Sequence, residues 1–173
     1  MGINGLWKEL EPVEQKVSLH NLAVGTGFIA NATGRRGFHR PGVKRGKVIQ
    51  GNDHWLTSSF KLMLDGFGFD WLVAPGEAEA TLSMMTTEGV PVRVDAILTD
   101  DSDSFVFGAN VVLRIRSEDN ENFEASRYSA FDISTILGLC RDDFVLITLL
   151  AGGDYSDELR NCGVTTAIGL ACV

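Results

Sequence analysis

The amino-acid sequence predicts an α/β fold with a mostly parallel sheet flanked by helices. Short apolar runs alternate along the chain with segments whose apolar residues recur every three to four positions. Acidic residues follow two of the apolar runs, which is where open parallel sheets carry their sites. The length of 173 residues suggests one domain, and a hydrophobic content of 45% is enough for a core.

The first 67 residues predict two helices and a long loop. A short N-terminal segment leads into a helix around residues 19–23. Residues 25–51 are rich in glycine and show no apolar period, so they predict a loop. Apolar residues at helical spacing then predict a helix over residues 52–67.

The rest of the chain predicts alternating strands and helices. Three apolar, partly β-branched runs predict strands, at residues 69–74, 94–99 and 110–116. Periodic segments predict helices at residues 77–87, 129–137 and 141–150, with a last helix beginning near Thr165. The stretches between them predict a short element at 104–107, a polar loop at 117–127 and a turn at 152–155.

Charge is unevenly distributed along the chain. Residues 1–50 carry eight Lys or Arg and three Glu, whereas residues 51–173 carry seven basic and twenty acidic residues. Such a division is typical of two solvated faces, and it can also indicate a polyanion contact beside a cation-binding site. The basic residues between 35 and 47 are therefore a candidate phosphate contact.

The cysteines and the apolar runs indicate in which cellular compartment the protein is expected. Cys140, Cys162 and Cys172 form no CxxC pair and no zinc-binding spacing, which fits a reducing compartment such as the nucleus or the cytosol. The N-terminal stretch lacks a basic segment followed by an apolar one, so no signal peptide is expected. The longest apolar run, residues 144–151, is too short to span a bilayer, and no membrane contact is expected.

The acidic residues of the stretch LTDDSDSFVFG form the first candidate site. Asp101 and Asp103 are two positions apart after an apolar run, so in an extended chain their side chains point the same way. Three more acids follow other predicted elements: Glu77, Glu79 and Asp154. Taken singly, the two glutamates suit a first helical turn and the third acid suits a glycine-rich turn.

Taken together, the five carboxylates indicate a metal site. A converging cluster of acids would raise its own pKa values unless a cation lay within it. Mg²⁺ and Mn²⁺ take oxygen ligands, and two such ions can activate a water and stabilise the leaving oxygen of a phosphodiester. The predicted catalytic and metal-binding residues are Glu77, Glu79, Asp101, Asp103 and Asp154.

Four stretches, in this order, carry a family resemblance: MGINGLW at residues 1–7, APGEAEA at 74–80, LTDDSDSFVFG at 98–108 and GGDYSDELRNCGVTTAIGLA at 152–171. The chain resembles the XPG/flap-endonuclease nucleases, in both their N-terminal XPG region and their XPG I region. Within that family it is most similar to the fungal Holliday-junction resolvases. The resemblance covers residues 1–24 and about 44–173.

The resemblance implies a PIN-like fold and two-metal hydrolysis of DNA phosphodiesters at flaps or branched junctions. By position, the five carboxylates resemble the family's metal ligands, with two Mg²⁺ or Mn²⁺ ions and no small-molecule cofactor expected. Asp100 stands where the family has an acid outside the ligand set. Branched or flapped double-stranded DNA is the implied partner, and the nucleus is the implied location.

The resemblance also implies DNA contacts outside the acidic cluster. Gly2 resembles an N-terminal glycine that lies close to the family's active site. Residues 161–171 resemble the start of a helical hairpin whose backbone amides grip duplex phosphates, although Asn161 stands where that hairpin often has glycine. Such a contact binds the DNA backbone and does not read sequence. The candidate DNA-binding residues are Gly2, Lys44, Arg45, Lys47, Gly163, Thr165 and Thr166.

One strand–helix–strand unit of the family is missing from the chain. Residues 20–73 contain no apolar strand that ends in aspartate, whereas the family has two such strands, each with an acid in the metal site. A deletion of about 30 or more residues near His39 would remove both, leaving the sheet incomplete with unpaired edges. The predicted regions are a shortened N-terminal XPG-like segment over residues 1–39, an acidic core over 40–151 and the start of a DNA-binding hairpin over 152–173.

Three functions remain open from the sequence. The first is a metal-dependent, structure-specific endonuclease impaired by the deletion, and the second is a non-catalytic remnant that binds Mg²⁺ or DNA weakly. The third is a haloacid-dehalogenase-like phosphatase, a class that shares the D-x-D motif and the later G-D turn. That class has a lysine between the two motifs, and this chain has none after Lys61. The sequence indicates no oligomeric state.

Overall fold

Strands and helices alternate along the chain in the computed structural model, which describes residues 2–19, 43–44, 47–48, 56–89, 91–116, 124–154 and 156–172. The strands are β1 (Gln15–Ser18), β2 (Val43–Lys44), β3 (Lys47–Val48), β4 (Ile97–Leu98), β5 (Val111–Arg114) and β6 (Glu124–Ser129). The α-helices are α1 (Leu6–Glu9), α2 (Thr57–Phe67), α3 (Ala78–Thr87), α4 (Asp103–Val106), α5 (Ala130–Asp132), α6 (Arg141–Ala151) and α7 (Val164–Ala171). A 3₁₀ turn covers Glu11–Val13, and a π-helical turn, Ile133–Leu137, follows α5.

The main sheet has four strands in the order β1-β6-β5-β4. β6 pairs antiparallel with both β1 and β5, whereas β4 and β5 are parallel. A separate antiparallel pair, β2 and β3, places Lys44 opposite Lys47. The predicted α/β class is confirmed. The prediction of a mostly parallel sheet is wrong for the described part of the chain, where the main sheet is mixed.

The position of β6 explains the mixed sheet. The connection between β5 and β6 spans only residues 115–123, whereas a parallel crossover needs roughly a dozen or more residues. A loop was expected over residues 117–127, but β6 begins at Glu124. Its buried residues include Ser126 and Ser129, and such small polar residues hide a buried strand from a search for apolar runs.

The predicted helices are confirmed where the structure describes them. α3 ends just before Gly89, α6 covers the second predicted C-terminal helix, and α7 begins at Val164, one residue before the expected start. The predicted helix at 129–137 divides into α5 and the π-helical turn. The helix expected around residues 19–23 and the loop at 25–51 lie largely outside the described residues. No helix in the described part of the chain is long and apolar enough to cross a membrane.

The strand predicted over residues 69–74 is absent. This stretch runs irregularly from α2 to α3, with Ala74 buried and Leu72 packed on the core. Its apolar composition reflects burial, but a strand also needs a neighbouring strand to satisfy its backbone hydrogen bonds. Nearby, Leu62 and Phe67 of α2 are 71% and 74% exposed. Exposed apolar side chains and an unpaired apolar segment agree with the predicted loss of a covering unit.

The core joins the N-terminal segment, the sheet and the C-terminal helices. Leu6, Val112, Ile147 and Ala167 are fully buried in one cluster, although they come from α1, β5, α6 and α7. Aromatic rings fill its centre: Trp7 lies 5.0 Å from Tyr128, and Phe105 stacks on Phe144 at 5.4 Å between ring centroids. Burial of this apolar surface holds the N-terminal and C-terminal sequence motifs close to each other.

A polar network around Glu14 fastens β1 to β6. The carboxylate accepts hydrogen bonds from Arg116 at 2.5 Å, from the Ser126 hydroxyl at 2.8 Å and from the Tyr128 hydroxyl at 3.1 Å. Burial acts to raise the pKa of Glu14, but the hydrogen bonds from Ser126 and Tyr128 and the charge of Arg116 outweigh it, so the pKa lies below its ordinary value of 4.5. Burial, followed by the charge of Glu14, raises the pKa of Tyr128.

Replacing Glu14 with Gln is expected to lower the free energy of unfolding by about 2 kcal/mol at pH 7, because charge-assisted hydrogen bonds are weakened. Since the folded pKa is below the unfolded one, the contribution of Glu14 is fully present above about pH 4.5 and is lost as the pH falls through the folded value. Urea denaturation at pH 7 and near pH 3 measures both effects. The exposed control Glu11→Gln should change stability by less than about 0.5 kcal/mol. An equal loss from both variants at pH 7 would contradict this account.

Candidate metal centre

The N-terminal backbone lies directly on the acidic motif. Gly2 has a φ of +84°, and a Cβ placed on it would lie 2.5 Å from Asp101 Oδ1 and 2.9 Å from Asp103 Oδ1. The N–H of Ile3 donates a hydrogen bond of 3.0 Å to the hydroxyl of the fully buried Ser102. Two carboxylate oxygens therefore lie within 3 Å of one point, and glycine is the residue that this point admits.

A tight turn brings the two aspartates together. The N–H of Asp101 donates to the Thr99 hydroxyl at 3.0 Å, and the N–H of Asp103 donates to Asp101 Oδ1 at 3.1 Å. Asp103 is the first residue of α4 and is only 5% exposed. The predicted proximity of the pair is present, but the expected reason, an extended chain, is wrong. A hydrogen-bonded turn into a helix brings these side chains together.

Asp100 makes its contacts elsewhere. Its carboxylate pairs with Arg114, and its side chain is 70% exposed. The backbone carbonyl of Asp100 accepts a hydrogen bond of 3.2 Å from the Trp7 indole, and the Arg114 guanidinium lies 4.6 Å from the centre of the Trp7 ring. Asp100 is thus paired with Arg114, which agrees with the expectation that it is not a metal ligand.

The start of α3 carries the two glutamates. Glu77 precedes the helix as its N-cap residue, and Glu79 is in the first turn. The hydroxyl of Ser83 lies 2.7 Å from the Glu79 carbonyl and 3.1 Å from the Ser104 carbonyl, so it fastens α3 to α4. Because α4 begins at Asp103, this contact fixes the glutamate helix against the aspartate pair.

Asp154 is buried in a tight turn after α6, with 8% of its surface exposed. The N–H of Gly153 donates to the Ser156 carbonyl at 3.1 Å, and the Ser156 hydroxyl donates to the Thr148 carbonyl at 2.9 Å. Gly152 adopts φ +79° and ψ 153°, a conformation that is essentially restricted to glycine. The glycine pair lets the chain fold back closely enough to bury an aspartate.

Asp101 and Asp103 form a close pair, whereas the other three predicted ligands, Glu77, Glu79 and Asp154, belong to other segments of the chain. Within the described ranges, no three His, Cys, Asp or Glu side chains lie near enough to one another to hold a metal ion. The expected convergence of all five carboxylates into one metal-holding group is therefore not seen in the described residues. The donor chemistry of the pair still fits a hard divalent cation, since Mg²⁺ commonly binds through one or two carboxylates and keeps several waters.

The predicted DNA-binding residues fall in several places. Gly163 is the N-cap of α7, and Thr165 and Thr166 lie in its first turn. Asn161 takes a φ of 64° before that helix, a conformation that asparagine tolerates, so the turn forms without glycine. The basic candidates are elsewhere: Lys44 and Lys47 belong to β2 and β3, and Arg45 lies outside the described residues.

The residues that position the acids were not among the residues predicted from the sequence. Ser83 and Ser102 are fully buried, and their hydroxyls hold α3 and the N-terminal backbone in place. Asn110 reinforces α3, since its side-chain amide donates to the Thr86 carbonyl at 2.8 Å and its N–H donates to the Thr86 hydroxyl at 3.2 Å. Small polar residues at core-facing positions were the available signal.

Replacing Gly2 with Ala is expected to weaken Mn²⁺ binding about tenfold, because outer contacts that orient metal ligands typically have effects of this size. The added Cβ would lie 2.5 Å from both Asp101 Oδ1 and the Ser102 hydroxyl, at a positive φ that disfavours alanine. Electron paramagnetic resonance of free Mn²⁺ measures the affinity. The control Gly66→Ala adds a Cβ with nothing within 4 Å and should bind like the wild type. Wild-type affinity in Gly2→Ala would show that the N-terminal contact does not shape the site.

A family comparison matches the acidic part of the chain. The model described as the XPG I-region matches residues 68–154, which is half of the chain. The chain belongs to the XPG I-region family. The matched range includes both glutamates, the aspartate pair and Asp154. This membership favours the nuclease interpretation over the phosphatase alternative.

Curated relatives of this XPG I-region chain are named flap endonucleases and DNA repair proteins. Flap endonuclease GEN-like 1 of Arabidopsis thaliana is 36% identical over 133 residues, which cover 74% of this chain and 21% of that protein. Flap endonuclease GEN homolog 1 of Homo sapiens is 27% identical over 212 residues, covering 90% of this chain and 23% of that protein. The chain thus spans about a fifth of the length of these relatives.

The human comparison supports the predicted deletion. Its 212 aligned residues exceed the 173 residues of the whole XPG I-region chain. The aligned part of the human protein therefore contains positions that have no counterpart here.

Solved structures of the same family share the fold. The catalytic core of Rad2 superposes with a TM-score of 0.81 at 24% identity, covering 98% of this chain and 65% of that one. Human GEN1 in complex with Holliday junction DNA has a TM-score of 0.70 at 24% identity, covering 99% of this chain and 55% of that one. GEN1 in complex with product DNA and a Mg²⁺ ion has a TM-score of 0.74 at 25% identity, covering 98% and 51%. The predicted fold, that of an XPG nuclease core in incomplete form, is confirmed.

Proposed function

We propose that this chain is the acidic core of a structure-specific DNA endonuclease that hydrolyses phosphodiesters at flaps or branched junctions with Mg²⁺ or Mn²⁺. The observation that carries the proposal is the packing of Gly2 against Asp101 and Asp103, which brings two carboxylate oxygens within 3 Å of the position that a Cβ of residue 2 would take. The flap-endonuclease and Rad2 relatives support it. Their roles in DNA repair also favour a nuclear location.

The metal would be held first by the aspartate pair. Asp101 and Asp103 supply the closest oxygens, whereas the other predicted ligands, Glu77, Glu79 and Asp154, form no metal-holding group with them in the described residues. A divalent ion there supplies Lewis-acid polarisation of a phosphate oxygen and lowers the pKa of a bound water. The chain itself orients the pair through the Ile3–Ser102 hydrogen bond and, by burying Asp103, keeps one of the ligands largely shielded from bulk water.

The DNA backbone would be bound at two other places. The first turn of α7 follows Gly163 and has no side-chain cap, so its backbone N–H groups suit a phosphate. These groups belong to Val164, Thr165 and Thr166. The basic residues Lys44, Arg45 and Lys47 would add charge-based contacts whose strength falls with salt concentration.

We infer that the endonuclease activity of this chain is impaired. Segment 69–74 has no strand partner in the described residues, and α2 exposes Leu62 and Phe67. Both features are expected when a neighbouring strand–helix–strand unit is missing, and that unit carries two acids in the family. Within the described residues no three of the acids lie near enough to hold a metal ion together, which favours the second function, a remnant that binds Mg²⁺ or DNA without turnover.

A cleavage assay tests the proposal. The pure chain is incubated with Mg²⁺ and end-labelled flap or four-way-junction DNA, beside Asp101→Asn as the inactive control. We expect binding of branched DNA with cleavage that is slow or undetectable, and any cleavage should vanish in Asp101→Asn. Turnover typical of a well-functioning enzyme, about 1 s⁻¹ or faster, would refute the impairment. Absence of DNA binding at low salt would refute the proposed function itself.

A further inference from the structure

The N-terminal segment contacts both parts of the proposed nuclease. At one end, Gly2 lies on the aspartate pair and Ile3 donates to Ser102. At the other end, Glu9 Oε1 accepts a hydrogen bond of 2.8 Å from the hydroxyl of Thr165, in the first turn of α7. Gly2, which contacts the acidic motif, and Glu9, which contacts the proposed phosphate-binding helix, are therefore only seven positions apart in the sequence.

The segment between these contacts is fixed on both sides. Gly5 lies against α7, since a Cβ placed on it would meet Val164 Cγ1 at 3.2 Å. Leu6 and Leu10 have no exposed surface and share the core cluster with Ala167 of α7. A shift of α7 relative to the sheet must therefore move α1 or break its packing.

Glu9 is an unexpected partner for a residue of a phosphate-binding turn. A carboxylate at the first turn of a helix is favourable for the helix dipole. The bond commits the Thr165 hydroxyl to α1, which leaves the backbone N–H groups of that turn for a phosphate. An anion bound there would restrict the motion of α7. Because Thr165 is hydrogen-bonded to Glu9, the motion of α1 and of Gly2 would be restricted with it.

We propose that Glu9 is a positioning residue that couples DNA binding at α7 to divalent-cation binding at Asp101 and Asp103. The inference rests on the proposed function, because it needs DNA at α7. Two sites that order the same segment stabilise each other, since the second ligand meets a segment already fixed. The coupling is reciprocal: DNA tightens metal binding by the same factor by which metal tightens DNA binding.

The experiment measures DNA affinity with and without metal. Fluorescence anisotropy of a labelled four-way junction gives the dissociation constant in Mn²⁺ and in EDTA at equal ionic strength. The wild type should bind about fivefold or more tightly in Mn²⁺. Glu9→Gln and Thr165→Val should show less than about a twofold difference. Mn²⁺ affinity without DNA, measured by electron paramagnetic resonance, should be unchanged in both variants, which separates loss of coupling from damage to the metal site.

Two matched variants control for charge and for folding. Glu11→Gln removes an exposed acid from the same segment, and Thr165→Ser keeps the hydroxyl, so both should retain the wild-type difference. If Glu9→Gln keeps the full Mn²⁺ effect, the inference is overturned and the proposed function stands. If the wild type binds DNA equally in Mn²⁺ and EDTA, the inference is likewise overturned. If the wild type binds no DNA at all, the proposed function fails together with the inference.

Discussion

Inserting the missing strand–helix–strand unit near His39 is expected to raise Mg²⁺-dependent cleavage of a labelled flap by roughly a hundredfold or more, because a second metal position is worth several kcal/mol of transition-state stabilisation. The insert is the corresponding unit of the human relative, whose aligned part is longer than this chain. The family resemblance implies that this unit carries two acids of the metal site. It would also give segment 69–74 a neighbouring strand and cover Phe67, which is 74% exposed. Single-turnover cleavage of the chimera and the parent chain measures the gain.

A spacer of equal length shows whether cleavage rises because of the acids in the inserted unit or because of the length of the insert alone. A Gly/Ser segment inserted at the same place should leave cleavage at the level of the parent chain. The chimera with both strand-end aspartates changed to asparagine should fold like the intact chimera but cleave like the spacer control. A chimera no faster than the spacer version would show that the deletion is not what limits this chain.

Replacing Gly152 with Ala is expected to destabilise the protein by about 3 kcal/mol, the combined size of backbone strain and overpacking against a neighbouring backbone. The conformation of Gly152 is one that side chains rarely adopt, and a Cβ there would lie 2.8 Å from the backbone nitrogen of Glu158. Relief of that clash would move the turn that buries Asp154. Chemical denaturation followed by tryptophan fluorescence measures the loss.

Gly76→Ala is the matched control for this variant. A Cβ at Gly76 has nothing within 4 Å, and the residue has no positive φ, so its replacement should change stability by less than about 1 kcal/mol. Equal stability of Gly152→Ala and Gly76→Ala would mean that the turn adapts without strain. In that case the burial of Asp154 would not depend on the glycine pair.

The sequence predicted those helices and turns whose structure depends mainly on residues within the same segment. α3 and α6 follow from helical apolar spacing and from their glycine boundaries, and the aspartate pair was recognisable from a D-x-D spacing after an apolar run. These features depend on neighbours within a few residues. They are the features that hydrophobic periodicity and turn chemistry report.

The missed features depend on partners that are distant in the chain. Residues 69–74 look like a strand, but the partner strand is absent from the described residues, and composition does not report pairing. β6 was hidden by its buried serines. Ser102 matters because it meets Ile3, 99 positions away, which no local pattern shows. The convergence of five acids was likewise a statement about packing between elements, and no three of these side chains form a metal-holding group in the described residues.

Mn²⁺ titration of single-residue variants tests the central claim most directly, because the claim is that Asp101 and Asp103 form the divalent-cation site. The exposed Asp95 of the same acidic half provides a matched control. We expect Asp95→Asn to bind Mn²⁺ like the wild type, and Asp101→Asn and Asp103→Asn to bind at least about tenfold more weakly, as the loss of a ligand or its support typically does. Equal Mn²⁺ affinity in all three variants would contradict the assignment of the metal centre.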